Sequence, residues 1–236
     1  MRRIALIAAV GLASVAVGTA AAVDVQQTVE IKVTPNTKPK RGAAAKKVKL
    51  FVETTTKKNN ADENVATTKA VIHFDKNLVF ANSKYPSCSL SQVQQDDTAC
   101  PSGSKVGKGS GSAEALKQTE SLTITAFDGP GTNKFFLHVV GRQPLEIDAV
   151  LNASLSSDTG KFGKKLTVPI PANLQQPLTG VFATLTRFTT TIDATAKRQP
   201  YVALKGCPST KKLSVAGDFT FTDGDVKKAK DTFACR

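Results

Sequence analysis

One short segment of the sequence has the residue types and spacing of a catalytic site. Ser102 and Lys105 form an SxxK motif, the spacing by which a helix places a nucleophilic serine beside an activating lysine in penicillin-binding enzymes. Pro101 and Gly103 disfavour a helix at this position. The sequence also contains neither the SDN nor the KTG motif that completes such a site. We therefore expect no serine nucleophile here.

The same region has the glycines of a phosphate-binding loop. In residues 103–110, GSKVGKGS, the spacing between Gly103 and Gly107 is one residue too short for that loop. Gly109 follows Lys108, where a serine or threonine would have to bind magnesium. We expect instead that these glycines let a strand lie close to its neighbour.

The sequence has two histidines, His73 and His138, and both lie in apolar segments predicted to be strands. Each is expected to occupy the polar face of its strand. If the two strands paired, the histidines could meet and respond to acidic pH.

A calcium site and hydrolytic sites are also disfavoured. Asp223 and Asp225 flank a glycine, but residues 226–228, Val-Lys-Lys, replace the further oxygen ligands that calcium needs, so a charged turn is predicted. The sequence has no GxSxG or HExxH motif. No catalytic, cofactor-binding or metal-binding residue is predicted.

The four cysteines, Cys88, Cys100, Cys207 and Cys235, are an even number, which favours disulfides in an exported chain. Four cysteines allow three pairings. Proximity in sequence suggests that Cys88 pairs with Cys100 and that Cys207 pairs with Cys235. A zinc site is disfavoured because no pair is CxxC and the histidines are distant in sequence.

Export is predicted from the first 22 residues. Arg2 and Arg3 precede an apolar run, residues 4–17, and Ala20 to Ala22 supply the small residues of a cleavage site. The run is short for a bilayer, so a retained membrane anchor is the weaker alternative. We predict a signal peptide over residues 1–22, a single domain over 23–236 with no transmembrane segment, and a secreted or cell-surface location.

The chain is strongly basic, with a formal net charge of +13 at pH 7. Removal of Arg2 and Arg3 would leave about +11, which predicts attraction to an anionic envelope polymer or lipid surface. Export, the presence of only two tyrosines, the absence of tryptophan and the lack of a recognisable module disfavour nucleic acid as the partner.

The dominant pattern in the rest of the chain is alternation of apolar and polar residues, which predicts strands. For residues 145–155 leucines at helical spacing leave a helix possible, but alternation favours a strand. One short helix is predicted before Cys100, capped by Ser89 or Ser91. The predicted strands, about ten or eleven, cover residues 28–34, 47–54, 68–74, 77–80, 106–115, 121–127, 134–140, 145–155, 165–170, 181–196 and 213–221, and residues 200–206 lead to Cys207.

Polar, proline-containing and glycine-containing segments separate these strands. Residues 35–45 are predicted to be an exposed connection, residues 128–133 the turn of a hairpin, and the lysine-rich residues 223–230 a solvated turn. Phenylalanines at 135, 136, 219 and 221 are expected in the core, although they could line a ligand groove. The predicted fold is therefore all-β, an antiparallel two-sheet β-sandwich with at most one short helix.

Several segments over residues 70–236 resemble a family of uncharacterised exported actinobacterial proteins. The most specific is the cysteine loop with the motif CP-x-GSKVG, residues 100–107; others are FDKNLVFANSKYPSCSLSQVQ and LTVPIPANLQQPLTGVFATLTRF. The resemblance implies a structural framework and brings no functional residues.

Three functions follow from these observations. The favoured one is a non-enzymatic secreted or cell-wall-associated protein with a structural or binding role, which requires no cofactor. The second is a carrier of lipid or another small molecule with a cavity between its sheets. The third is an envelope hydrolase whose carboxylates leave little sequence signature.

Overall fold

Segments with alternating apolar and polar residues form almost all of the regular structure. The computed structural model describes residues 24–60, 65–196 and 199–236, so the predicted signal peptide lies outside the described residues. The elements are β1 (Val25–Thr34), β2 (Lys46–Lys47), β3 (Lys49–Lys58), β4 (Thr67–Asp75), β5 (Leu78–Phe80), α1 (Leu90–Gln95), β6 (Lys105–Ala115), β7 (Gln118–Asp128), β8 (Lys134–Gly141), β9 (Ile147–Ser157), β10 (Phe162–Pro169), α2 (Ala172–Gln175), β11 (Thr184–Ile192), β12 (Thr195–Ala196), β13 (Gln199–Pro200), β14 (Val202–Leu204), β15 (Lys212–Phe221) and β16 (Val226–Ala234).

Eleven of these strands form one antiparallel sheet in the order β1-β3-β11-β6-β7-β8-β9-β10-β4-β15-β16. The two edge strands, β1 and β16, pack against each other, so that the sheet is a nearly closed barrel. The all-β antiparallel prediction is confirmed. The prediction of two separate sheets is corrected: one continuous sheet curls round and buries its apolar face against itself.

The inner face of this sheet carries most of the apolar core. In β1, for example, Val29, Ile31 and Val33 are buried while the residues between them are exposed. Thirty-two buried residues, most of them on strands of this sheet, form one main cluster. A small second cluster lies on the outer face of the sheet and holds α1 against β7 and β8. It consists of Cys88, Val93, Phe127 and Phe136.

A three-stranded sheet, β2-β14-β5, covers one end of the barrel, which we call the closed end. Val202 and Leu204 of β14 are buried there. The opposite end, the mouth, is formed by the β6–β7 turn, the β8–β9 loop and the connection from β10 to β11.

The helices are short. The predicted helix is confirmed as α1, and Ser89 caps it in a capping box with Gln92. A second helix, α2, corrects the expectation of at most one; it follows Pro171 within the β10–β11 connection. Among the described residues, no helix has both the length and the apolar character needed to cross a membrane.

The turn predicted over residues 223–230 is confirmed for residues 223–225 and is wrong for residues 226–230. Residues 226–234 form edge strand β16, whose alternate side chains are exposed, including Lys228 and Lys230. Ala229 and Phe233 lie on the other side and pack against the core. Lysines on one face suit an edge strand, because their charge opposes pairing with another chain.

Both predicted disulfides are present. Cys88 pairs with Cys100, with their Cα atoms 5.2 Å apart, and Cys207 pairs with Cys235, at 5.6 Å. The first bridge closes the segment that carries α1. The second joins the segment after β14 to the residue after β16 at the closed end.

The glycines of β6 confirm their predicted structural role. A Cβ atom added to Gly109 would lie 1.9 Å from the carbonyl oxygen of Thr189, and one added to Gly107 would lie 2.5 Å from that of Thr191. Both oxygens belong to β11, so these positions let β6 and β11 approach closely.

We therefore predict that Gly109→Ala lowers the free energy of unfolding by about 3 kcal/mol, because the backbone of β11 must move to admit the methyl group. Gly206→Ala is the control: its Cβ would have an ordinary contact, 3.5 Å, with Asn77. Urea denaturation of both variants measures the difference. Equal stability of the two variants would contradict the close-approach account.

Candidate functional site

The mouth leads into an apolar cavity of about 320 Å³ inside the barrel. This volume lies at the lower end of the range of small-molecule binding sites. Side chains from β6, β7, β8, β9, β11 and the β10–β11 connection form its wall, among them Ala113, Ala115, Leu122, Ile124, Val139, Ile147, Leu151, Ile170, Leu174, Leu185 and Phe188.

The rim of the cavity carries two exposed leucines. Leu116, in the β6–β7 turn, is 68% exposed, and Leu178, in the β10–β11 connection, is 48% exposed. Both also line the cavity. The apolar surface of the cavity therefore continues outward to solvent at the mouth.

A buried carboxylate fixes one side of the rim. Glu120 is only 4% exposed, and its two oxygens accept hydrogen bonds from the backbone N–H groups of Gln143 (3.2 Å) and Leu145 (3.0 Å). These bonds hold the β8–β9 loop, including Pro144, against the cavity wall. The carboxylate thus satisfies two backbone donors in a loop that would otherwise lack strand partners.

A second, inner cavity of about 90 Å³ adjoins the first. The two share the side chains of Thr67, Leu151, Ile170, Leu185 and Phe188. Phe135 and Phe219, two of the phenylalanines with a possible groove role in the sequence, line the inner cavity. Phe136 instead packs outside the sheet, and Phe221 is in the core.

The inner cavity contains a hydroxyl that lacks a partner within residues 24–60, 65–196 and 199–236. Thr190 is 8% exposed, and its Oγ1 forms no hydrogen bond there. Thr56, which also lines this cavity, donates a hydrogen bond to Gln27 (2.7 Å). Thr190 therefore offers the inner cavity a polar atom with free donor and acceptor capacity.

Two tyrosines form the floor of the inner cavity at the closed end. Tyr201 lines the cavity and packs edge-on against Tyr85, with ring centroids 4.9 Å apart. The single proton of the Tyr85 hydroxyl is shared between the backbone carbonyls of Ala194 (3.0 Å) and Gln199 (2.6 Å). These contacts fix both rings and seal the cavity at this end.

Asp128, the last residue of β7, ties the floor to the first disulfide segment. Its Oδ1 accepts a 2.7 Å hydrogen bond from the Tyr201 hydroxyl. Its backbone N–H donates to the carbonyl of Ser104, and its backbone carbonyl accepts from the N–H of Cys88. Its Oδ2 is buried without a partner among the described residues. Burial raises the pKa of Asp128 to about 7, although the Tyr201 hydrogen bond acts in the opposite direction.

The two histidines lie on separate strands and do not meet. His138 is on β8 and His73 on β4; β8 pairs with β7 and β9, so the conditional pairing of their strands does not occur. Each occupies the polar outer face, as predicted. His138 contacts Asp97 and Asp148, both at 2.9 Å. His73 contacts Asp158, in the β9–β10 turn, at 2.6 Å.

Two neighbouring carboxylates shift the pKa of His138. Burial lowers the pKa of this ring, but the hydrogen bonds and negative charges of Asp97 and Asp148 outweigh it and raise the pKa overall. The His138 ring therefore links the disulfide segment, through Asp97, to the outer face of the barrel.

The other sequence candidates do not assemble into a site. Ser102 lies in a turn and Lys105 begins β6, so the helix that the SxxK spacing requires does not form. Asp223 and Asp225 lie in the β15–β16 turn, where Asp225 pairs with Lys227. Within the described parts of the chain no group of three His, Cys, Asp or Glu residues could hold a metal.

The sequence patterns did not predict the polar residues of the cavity and its floor. Thr190 belongs to a run of three threonines in a predicted strand, where threonine is common. A usable signal was its register: Phe188, Thr190 and Ile192 alternate, so one hydroxyl interrupts an otherwise apolar inner row. Glu120 and Asp128 likewise flank the strand predicted over residues 121–127, whose apolar centre is the only part that alternation marks as buried.

The partnerless hydroxyl has a measurable effect on stability. We predict that Thr190→Val raises the free energy of unfolding by about 1 kcal/mol, because a buried, unsatisfied polar atom is replaced by a methyl group. Thr189→Val is the matched control. Because the Thr189 hydroxyl hydrogen-bonds the backbone of Ser110, this variant should lower the free energy of unfolding by about 1 kcal/mol. Equal losses in both variants, measured by urea denaturation, would mean that Thr190 has a partner.

Asp128 predicts a pH dependence of stability. Because its pKa is about 7 when folded and 3.8 ordinarily, the folded state retains a proton that the unfolded state loses, and stability falls as pH rises from about 4 to 7. We expect the stability of Asp128→Asn, relative to the parent, to rise across this window by on the order of 4 kcal/mol. Outside this pH window, the difference in stability between the variant and the parent should be constant.

Chemical denaturation at closely spaced pH values tests this expectation. Glu146→Gln is the control, because Glu146 is exposed and pairs only across the surface with Arg142. A difference between Asp128→Asn and the parent that does not change with pH would contradict the assignment.

The chain matches no protein-family model, no curated protein and no solved structure. Its resemblance to the exported actinobacterial family therefore stays a prediction.

Proposed function

We propose that this protein is an exported, non-enzymatic carrier that binds a small apolar molecule or lipid inside its barrel. The observation that carries the proposal is the apolar cavity, which opens at the mouth and shares wall residues, among them Phe188, with the inner cavity that Thr190 lines. Removal of apolar ligand surface from water supplies the driving force for such binding. The cavity favours the carrier over the surface-binding role that composition alone suggested.

The polar groups around the cavity narrow the chemistry of the ligand. Glu120 lies in the wall near the mouth, where a negatively charged head group would meet a carboxylate. Thr190 offers a hydrogen bond at the inner end. The ligand that fits is uncharged and mostly apolar, with one oxygen, such as a hydroxyl or carbonyl, at the end that enters first.

The exposed leucines at the rim support entry from an apolar environment. Leu116 and Leu178 extend the apolar wall beyond the mouth, so a ligand can remain in contact with apolar surface while it enters. Export is supported by the predicted signal peptide and is consistent with the two disulfides. A carrier outside the cell needs no cofactor for this role.

A substitution at the mouth tests the proposal. Ala115 lines the outer cavity, so Ala115→Trp should fill its entrance and weaken binding of Nile red, a neutral apolar dye, by at least about tenfold. Thr119→Trp places the same side chain on the exposed outer face of the neighbouring strand and should leave binding unchanged.

Dye fluorescence titration gives the affinity, and native mass spectrometry of the unreduced protein identifies any ligand retained during purification. Equal dye affinity in both variants would place the dye outside the cavity. Failure of the parent protein to bind Nile red or any retained apolar molecule would overturn the carrier function.

A further inference from the structure

The positive charge of the chain is concentrated at the closed end. Residues 35–49 and 205–212 contain lysines and one arginine but no aspartate or glutamate. We call the basic groups of these segments, together with Arg236, the basic end. Its members are Lys38, Lys40, Arg41, Lys46, Lys47, Lys49, Lys205, Lys211, Lys212 and Arg236, all of them exposed except Lys46, which is half-buried.

Backbone contacts bring these separate segments into one surface. The N–H of Lys38 donates to the carbonyl of Arg236 at 2.6 Å, and the N–H of Cys235 donates to the carbonyl of Lys211 at 2.9 Å. Lys47 of β2 pairs with β14, which precedes Lys205. The Cys207–Cys235 disulfide fixes two of these segments together.

Most of this charge has no counter-charge within the described residues. Among residues 24–60, 65–196 and 199–236, ion pairs to the basic end come only from Asp193, which lies 3.6 Å from Lys47 and 3.3 Å from Lys49. At the mouth, by contrast, Lys58 pairs with Glu114, and other basic groups there also face carboxylates. Within the described residues, the closed end therefore carries basic groups that are mostly without paired carboxylates, whereas several basic groups at the mouth are paired.

The composition of the basic end selects the kind of partner. Lysine is a flexible point charge, which suits repeated anionic groups better than one shaped anion pocket. Among the described residues, the exposed large apolar side chains, Leu116, Leu178 and Val226, all lie at the mouth end. A lipid-binding surface would be expected to add apolar or aromatic anchors to its charges.

We propose that the basic end docks the protein on a linear polyanion with closely spaced phosphate groups. Docking at the closed end leaves the mouth, on the opposite side of the barrel, directed away from the polymer. This site involves none of the residues that line the cavity, and it stands whether or not the protein is a carrier.

Binding of polyphosphate to the full disulfide-bonded chain tests the proposal. We expect affinity, measured by calorimetry, to fall steeply as sodium chloride is raised, because binding releases counterions and is screened. The triple variant Lys38→Glu, Lys40→Glu, Arg41→Glu should bind at least about tenfold more weakly. These three side chains are exposed in the 35–45 connection, so the fold should tolerate their reversal.

The matched control makes the same charge change away from the basic end. Lys57→Glu, Lys69→Glu, Lys228→Glu alters three exposed lysines on the strands and should leave polyphosphate affinity within about twofold of the parent. Circular dichroism and Nile red binding establish that each variant retains the parent's fold.

Two results would overturn the proposal. Equal weakening by both triple variants would show that net charge alone attracts the polymer. Binding to phosphatidylglycerol vesicles with no binding to polyphosphate would make a membrane the partner instead.

Discussion

A sheet of eleven strands with one apolar face can bury that face only by covering it with another layer or by curling onto itself, and here it curls. Strands β1 and β16, which open the described chain and nearly close it, pack against each other. The apolar inner face then encloses a space that its side chains do not completely fill. Cavity, floor and mouth are all consequences of this closure.

The two ends of the barrel have different chemistry because different segments cover them. At the closed end, β2, β14 and β5, two tyrosines and the second disulfide seal the core and carry the lysine-rich connections. At the mouth, a turn and a loop leave the interior open, and Glu120 holds the loop in place. The proposed apolar ligand and the proposed polyanion would therefore occupy opposite ends and would not compete.

Local patterns predicted most of the strands, the cap of α1 and both disulfides, because alternation, capping and cysteine spacing are properties of neighbouring residues. The single sheet was not predictable in this way, since β4 pairs with β10 and with β15, far along the chain. Asp128 shows the same limit. The sequence predicts that Asp128 is the first residue of a polar turn. In the structure it is buried at the floor of the cavity, where it accepts a hydrogen bond from Tyr201, 73 residues away. Likewise β16 looked like a turn because its lysines conceal the alternate residues that pack inward.

The contact between β1 and β16 also has a mechanical consequence. No ladder joins these two strands in the described structure, so side-chain packing holds most of the seam. Near the closed end, however, Asn36 and Lys38 hydrogen-bond the chain at Ala234 and Arg236. The hydrogen bonds therefore join the two strands near the closed end, whereas along the rest of the seam they could separate without breaking any strand ladder.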